Sequence, residues 1–285
     1  MSIAYHQPQT LDEALAIRAA RPVVVLAGGT DVYPAKATRA GWGDVRHADV
    51  LDISRIPGLR GIEAHDDHWR IGALTTWTDI LRADLPPLFD GLKLASKEVG
   101  GVQIQNRGTL GGNLCNASPA ADGVPPLLTL DADIEIASRN RVRREPLQKF
   151  IDGYRHATLR PDELVTAILI PRAAGRGHFL KLGARRYLVI SIAMVAGVVD
   201  IDRDGRIARA AIAVGACSAI ATRLPGLEAA LIGQTPATAR VQAGHLDALT
   251  PLGDIRASAD YRRAAALALV RDLVAAFAAP ERRAA

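Results

Sequence analysis

Two glycine-rich loops constrain this chain of 285 residues more than any other feature. The first is Leu26-Ala27-Gly28-Gly29-Thr30-Asp31, directly after the apolar run Val23-Val24-Val25. The second is Asn106-Arg107-Gly108-Thr109-Leu110-Gly111-Gly112-Asn113, followed closely by Ser118-Pro119-Ala120-Ala121-Asp122. Glycine admits φ > 0 and lets bare backbone N–H groups approach a ligand closely. Successive N–H groups facing one point make an anion-binding concavity. Either loop alone reads equally well as a tight turn. Together, with Thr30, Thr109 and Asn113 offering polar side chains, they point to a ligand with two phosphates or a long polar tail.

Other nucleotide signatures are missing. The sequence holds no G-x-x-x-x-G-K-[ST] and no G-x-G-x-x-G, so it is not an ordinary P-loop or Rossmann chain. Neither a G-x-S-x-G elbow nor an H-E-x-x-H pair occurs. The content is 49% hydrophobic and 23% charged, an ordinary globular balance. Aromatics at 4% argue against nucleic-acid binding by base stacking. The net charge of +5 comes from scattered arginines. The densest group, Arg139, Arg141, Arg143 and Arg144, reads as a solvated hairpin tip, with a basic patch for an acidic partner as the sharper alternative. Two cysteines, Cys115 and Cys217, are too few for a disulfide scaffold or a cysteine-bound iron–sulfur or zinc site within the chain. The polar start is unlike a signal peptide. Val189–Val199, the longest apolar stretch, is too short to span a bilayer. The expectation is a soluble cytoplasmic protein.

The order of elements predicts an α+β fold. A strand over Ile3–His6, a helix capped by Thr10 and Glu13, and the strand Val23–Leu26 make a βαβ start. Val50–Ile53 is a further strand. A hairpin turns at His65-Asp66-Asp67-His68, Thr76 and Asp79 cap a helix, and Pro87–Val99 is another. Asp122–Leu130 reads as helix, and Ile134–Ser138 with Val142–Arg144 as a hairpin. The stretch Pro171–Gly177 marks a boundary, giving domains 1–174 (subdomains 1–56 and 57–174) and 175–285. The second has three strand-like runs, Phe179–Leu182, Ile190–Ile201 and Ile207–Ala216. Three helices follow, over Leu224–Ile232, Pro236–Ala248 and Ala259–Ala278.

The motifs carry a resemblance along nearly the whole chain. Tyr5-His6-Gln7-Pro8, Ala27-Gly28-Gly29-Thr30-Asp31, Ile71-Gly72-Ala73-Leu74-Thr75 and Gln103–Asn113 with Ala117–Asp122 occur in order. Lys181-Leu182-Gly183-Ala184-Arg185 and Arg256–Arg263 follow. This pattern resembles the flavoprotein subunit of the molybdenum hydroxylases, the family of xanthine dehydrogenase and aerobic carbon monoxide dehydrogenase. It departs where the family commonly has Ile-Arg-Asn and this chain has Ile104-Gln105-Asn106.

The resemblance implies a two-part FAD-binding domain of the vanillyl-alcohol-oxidase type. It adds a C-terminal domain of a three-stranded antiparallel sheet with helices. It implies FAD held by Leu26, Ala27, Gly28, Gly29, Thr30, Asp31 and Val32 from the first loop. Thr109, Gly111, Gly112, Asn113 and Asn116 belong to the second. Val99 and Gly100 are expected to border the flavin ring, Val165 its pyrimidine edge and Lys181 its neighbourhood. Asp122 is expected to fix a ribityl or ring polar group, and Tyr187 is a candidate cover for one flavin face. No residue is expected to be catalytic in its own right or to bind metal. The implied partners are an iron–sulfur subunit with two [2Fe–2S] clusters and a molybdopterin subunit, in a dimer of heterotrimers. The chain then takes electrons from the iron–sulfur subunit and passes them to NAD or another acceptor. A stand-alone flavin reductase of related fold and a basic phosphate-binding interaction module are the other readings.

Overall fold

Local chemistry sets the first elements. In a computed structural model, which describes residues 3–35 and 48–279, Thr10 accepts from the Glu13 N–H and opens α1 (Leu11–Ala20). The Glu13 carboxylate accepts from the Gln9 N–H, one residue before the cap. Strands β1 (Tyr5–His6), β2 (Val23–Leu26) and β3 (Asp49–Asp52) form a parallel sheet in the order β1-β3-β2. The two strands joined by α1 are thus not neighbours; β3 lies between them. Leu15, Val23, Leu51 and Ile53 form the core of this layer, packed against Leu74, Ala137 and Leu164 of the next.

That next layer is an antiparallel sheet in the order β4-β5-β10-β6-β7. Its strands are β4 (Ile62–Ala64), β5 (His68–Gly72), β6 (Asp133–Ser138), β7 (Arg141–Pro146) and β10 (Leu164–Pro171). Both expected hairpins are present in it. A two-stranded ribbon, β8 (Ile151–Gly153) and β9 (His156–Ala157), and the short helix α7 (Leu147–Phe150) stand beside it.

Between β5 and β6 the described residues form five α-helices: α2 (Trp77–Arg82), α3 (Asp90–Glu98), α4 (Val102–Gln105), α5 (Leu110–Asn116) and α6 (Val124–Thr129). Trp77, Leu92, Leu110, Leu114 and Leu127 pack from four of them onto Ile71, Ile134, Ile136 and Ile168 of the sheet. Helix α4 buries no residue. Thr76 and Asp79 make the expected capping box at α2. Such a cap is worth about 1 kcal/mol. Arg60 holds the Asp79 carboxylate from outside through two hydrogen bonds of 2.8 and 2.9 Å. Helix α6 starts at Val124 rather than Asp122, because the Asp122 side chain turns away from the helix end to other partners.

The C-terminal sheet has four strands, not three. β11 (Arg176–Leu182), β12 (Ala193–Ile201), β13 (Ile207–Gly215) and β14 (Thr222–Arg223) pair antiparallel in that order. β14 is two residues long and polar, so it leaves no alternation to detect. Helices α8 (Pro225–Leu231) and α9 (Ala259–Ala276) cover this sheet through Leu227, Leu231, Val270 and Leu273. The helix expected over Pro236–Ala248 is instead a single 3₁₀ turn, Ala243–Leu246. Proline and glycine weaken helix there, and Val241, Leu246 and Leu249 anchor an irregular segment by burial.

A partly buried ion cluster stands where the first two layers meet. Arg143 donates to both Glu163 carboxylate oxygens at 2.9 Å and to Glu145 at 2.7 Å. Arg18 of α1 reaches the Glu163 carbonyl. The Arg143 bonds hold the Glu163 carboxyl below the ordinary glutamate range, against the opposing effect of burial. A depressed folded value means stability that is present above the unfolded pKa and lost as pH falls through the folded one. Between about pH 6 and pH 3, the unfolding free energy of Glu163→Gln should therefore fall less than that of the wild type. An equal fall in both proteins, with the unfolding free energy taken from denaturant titrations at each pH, would contradict the pairing.

Candidate functional site

The two glycine loops meet backbone to backbone. A Cβ built on Gly28 would lie 1.9 Å from the Arg107 carbonyl oxygen, so only glycine permits this approach. Gly29 has φ +78°, the left-handed region. The second loop is stitched to the large sheet by Leu110 N–H to Thr75 C=O and Gly111 N–H to Ala73 C=O, both 2.9 Å. Trp77, nearly fully buried, packs beneath Gly108 and Gly123. Thr109 caps α5 by accepting from the Gly112 N–H. Across the rim, Asn116 donates to Asp31 at 3.1 Å and accepts from Arg155 at 3.0 Å.

Between the loops lies a cleft of about 630 Å³. Ala27, Gly28, Gly29, Thr30, Asp31 and Val32 form one wall, and Thr109, Gly112, Asn113 and Asn116 another. Val99, Gly100 and Asp122 complete the expected set. Four expected residues do not line it. Leu26 is buried in the strand. Gly111 serves packing, since its Cβ would come within 2.7 Å of Ala73. Val165 is buried in β10 opposite Ile136. Lys181 stands behind Asp122. Tyr187 is largely exposed and outside the lining.

The cleft also uses residues that sequence reasoning passed over. Gly101 and Gly108 carried the same glycine signal as their neighbours. Val25, Ile104, Cys115 and Ala120 gave none. Leu188, Val189 and Ile190 line it from the segment before β12, where a strand from Ile190 was expected.

Its polar groups are arranged for a ligand. No described residue accepts a hydrogen bond from the backbone N–H of Gly28, Gly29, Thr30 or Asp31. Asn113 Oδ1 is buried and has no partner among the described residues. Buried polar atoms are rarely left so. Asp122 is different: its oxygens accept from Lys181 Nζ at 2.7 Å and Ser191 Oγ at 2.6 Å. Lys181 also donates to the Glu98 carbonyl at the end of α3, a favoured place for a cation. Burial pushes the Asp122 carboxyl above its ordinary range, while Lys181 and Ser191 oppose it. This clamp joins the second-loop segment to β11 and to Ser191, two residues ahead of β12, at the edge of the cleft.

Among the described residues no cluster of His, Cys, Asp and Glu could hold a metal ion. No described helix is long and apolar enough to cross a membrane. The donor set suits a phosphate-bearing cofactor.

Comparison with known proteins gives that cofactor class a family. The family described as FAD binding domain in molybdopterin dehydrogenase matches residues 1–173. The CO dehydrogenase flavoprotein C-terminal domain matches residues 178–277. The chain is 30% identical over 281 residues to the nicotine 6-hydroxylase medium subunit of Paenarthrobacter nicotinovorans, covering 95% of each chain. It is 34% identical over 214 residues to the nicotinate dehydrogenase FAD-subunit of Eubacterium barkeri, covering 70% of each. The structure of carbon monoxide dehydrogenase from Hydrogenophaga pseudoflava superposes with a TM-score of 0.86 at 27% identity, covering 98% of this chain and 99% of that one. The chain belongs to the FAD-binding medium subunits of the molybdopterin hydroxylases, the carbon monoxide dehydrogenase/xanthine dehydrogenase family.

Gly28→Ala tests the loop contact directly. The neighbour is backbone, which cannot rotate aside, so the substitution should cost about 1–3 kcal/mol. Thermal unfolding at an unchanged temperature would contradict the close approach.

Proposed function

We propose that this chain is the electron-transfer flavoprotein of a molybdenum-containing dehydrogenase. It takes electrons from an iron–sulfur subunit carrying [2Fe–2S] clusters and passes them to NAD or another acceptor. The molybdopterin subunit of the same complex oxidises the substrate, and the assembly is a dimer of heterotrimers. The two-domain division near residue 174 belongs to this reading, supported by the separate sheets on either side of it.

The observation that carries the reading is the row of N–H groups from Gly28 to Asp31 with no acceptor among the described residues, in one cleft with Asn113 Oδ1, which likewise has no partner among them. FAD, when bound, supplies the redox chemistry that the side chains here lack. The N–H groups of the first loop hold its pyrophosphate, offsetting about two negative charges without bringing lysine or arginine into contact. Asn113 contributes a hydrogen bond from the second wall. Val99 and Gly100 border the ring as an apolar edge. Asp122 orients Lys181, which sets a positive charge behind that wall, and Ser191 fixes the other carboxylate oxygen. Thr109 caps α5 by accepting from the Gly112 N–H, which leaves its hydroxyl proton free to donate to the cofactor.

The purified protein should show flavin absorption bands at near one equivalent, and those bands should bleach on mixing with the reduced iron–sulfur subunit. Asn113→Ala removes a carboxamide oxygen with no described partner. It should leave the unfolding free energy within about 1 kcal/mol and weaken FAD binding about tenfold. An unchanged FAD dissociation constant would remove Asn113 from the site.

A further inference from the structure

Beside the cofactor cleft lies a second cavity of about 300 Å³, at the lower end of the range for small-molecule sites. Ala120 and Ile190 line both. Arg155, Arg256 and Arg262 line the second cavity against a single carboxylate, Asp254; no other described Asp or Glu lines it. The three arginines come from separate pieces of the chain: the turn between β8 and β9, the loop before α9, and α9 itself.

The carboxylate is engaged on both oxygens. Asp254 accepts from Arg262 Nη2 at 2.7 Å, from Arg256 Nη1 at 3.2 Å and from the backbone N–H groups of Arg256 and Ala257. The donors are less fully used. Arg262 is 4% exposed and also holds the Ile192 and Ala216 carbonyls, yet its Nε has no partner among the described residues. Arg256 gives one nitrogen to Asp254, and Arg155 gives one to Asn116 Oδ1. A guanidinium carries five N–H donors, so most of theirs stay open. The backbone N–H groups of Ser218 and Ala219, on the same wall, have no acceptor among the described residues. Ser118 Oγ accepts from the Ala120 N–H, which leaves its hydroxyl proton free to donate. Two lining residues, Arg155 (φ 51°) and Ala216 (φ 61°), hold the left-handed conformation, and such backbone gathers at functional sites.

We infer that this cavity is an oxyanion site separate from the cofactor cleft, and that it takes a phosphate group, free or as a monoester. Three guanidiniums less one carboxylate leave two positive charges on the lining, which matches the charge of about −1.5 to −2 on a phosphate monoester at neutral pH. The donors come from three directions, with main-chain N–H groups and a hydroxyl between them. That suits a tetrahedral anion, whereas a carboxylate presents two oxygens in one plane. Arg155 also joins the site to the rim of the cofactor cleft, since its partner Asn116 donates to Asp31. The inference needs no flavin and stands apart from the function proposed above.

Calorimetric titration of the chain with inorganic phosphate, in saturating FAD and at an ionic strength held constant with chloride, tests this. The wild type should bind one phosphate per chain with a dissociation constant of about 1 mM or below. Arg256 does not line the cofactor cleft, and its variant Arg256→Gln should keep its flavin and bind phosphate about tenfold more weakly. Ala219→Glu sets a carboxylate in the cavity and should abolish binding; should Arg256→Gln fail to fold, this variant decides. Adenosine monophosphate titrated in parallel identifies the source: tighter binding than phosphate marks an ester, and equal or weaker binding marks the free anion. No saturable binding by the wild type would overturn the site. Wild-type affinity in both variants, or phosphate binding that FAD abolishes, would also overturn it, because the anion would then occupy the first glycine loop. A chain that takes up no FAD would count against the proposed function and leave this test intact, since the two variants still separate the sites.

Discussion

Everything at the site depends on one steric fact: the backbone of Gly28 lies against the carbonyl of Arg107 with no room for a Cβ. That contact brings a loop from the parallel sheet against a loop held by the antiparallel one. It leaves the N–H groups of Gly28 to Asp31 without described partners while fixing where they stand. The second loop is rigid for a separate reason. It hangs from Ala73 and Thr75 by main-chain hydrogen bonds and sits on Trp77. A binding wall of bare backbone needs this support, since backbone dipoles recognise an anion only when they are held in one arrangement.

The third wall comes from the C-terminal part of the chain. Asp122, Lys181 and Ser191 form a buried clamp, and Lys181 continues it to Glu98 beside Val99 and Gly100. A buried ion pair of this kind is weak evidence for stability. Its consequence is positional: it fixes β11 and the Leu188–Ile190 segment relative to the second loop. The cleft is therefore the product of three separately built pieces, and its geometry is sensitive to each junction.

Much of this was legible in the sequence because glycine leaves a trace when backbone must approach backbone. Both loops, the Thr76–Asp79 cap and the hairpin at His65–His68 follow from local chemistry that a single sequence displays. Gly111 was legible as a necessary glycine but not as a packing one, because Ala73 is its neighbour only in the fold. Asp122 showed a carboxylate in a suggestive place, while its partners Lys181 and Ser191 lie 59 and 69 residues away. The strand β14 and the irregular Pro236–Ala248 stretch were hidden for another reason. Two polar residues carry no period, and scattered apolar anchors imitate a helix.

Hydrogen–deuterium exchange of the amides from Gly28 to Asp31, with and without FAD, is the decisive measurement. These amides have no described acceptor, so they should exchange fast in the FAD-free protein and slow strongly when FAD binds. Slow exchange in both states, or FAD binding that leaves the loop unprotected, would contradict this site.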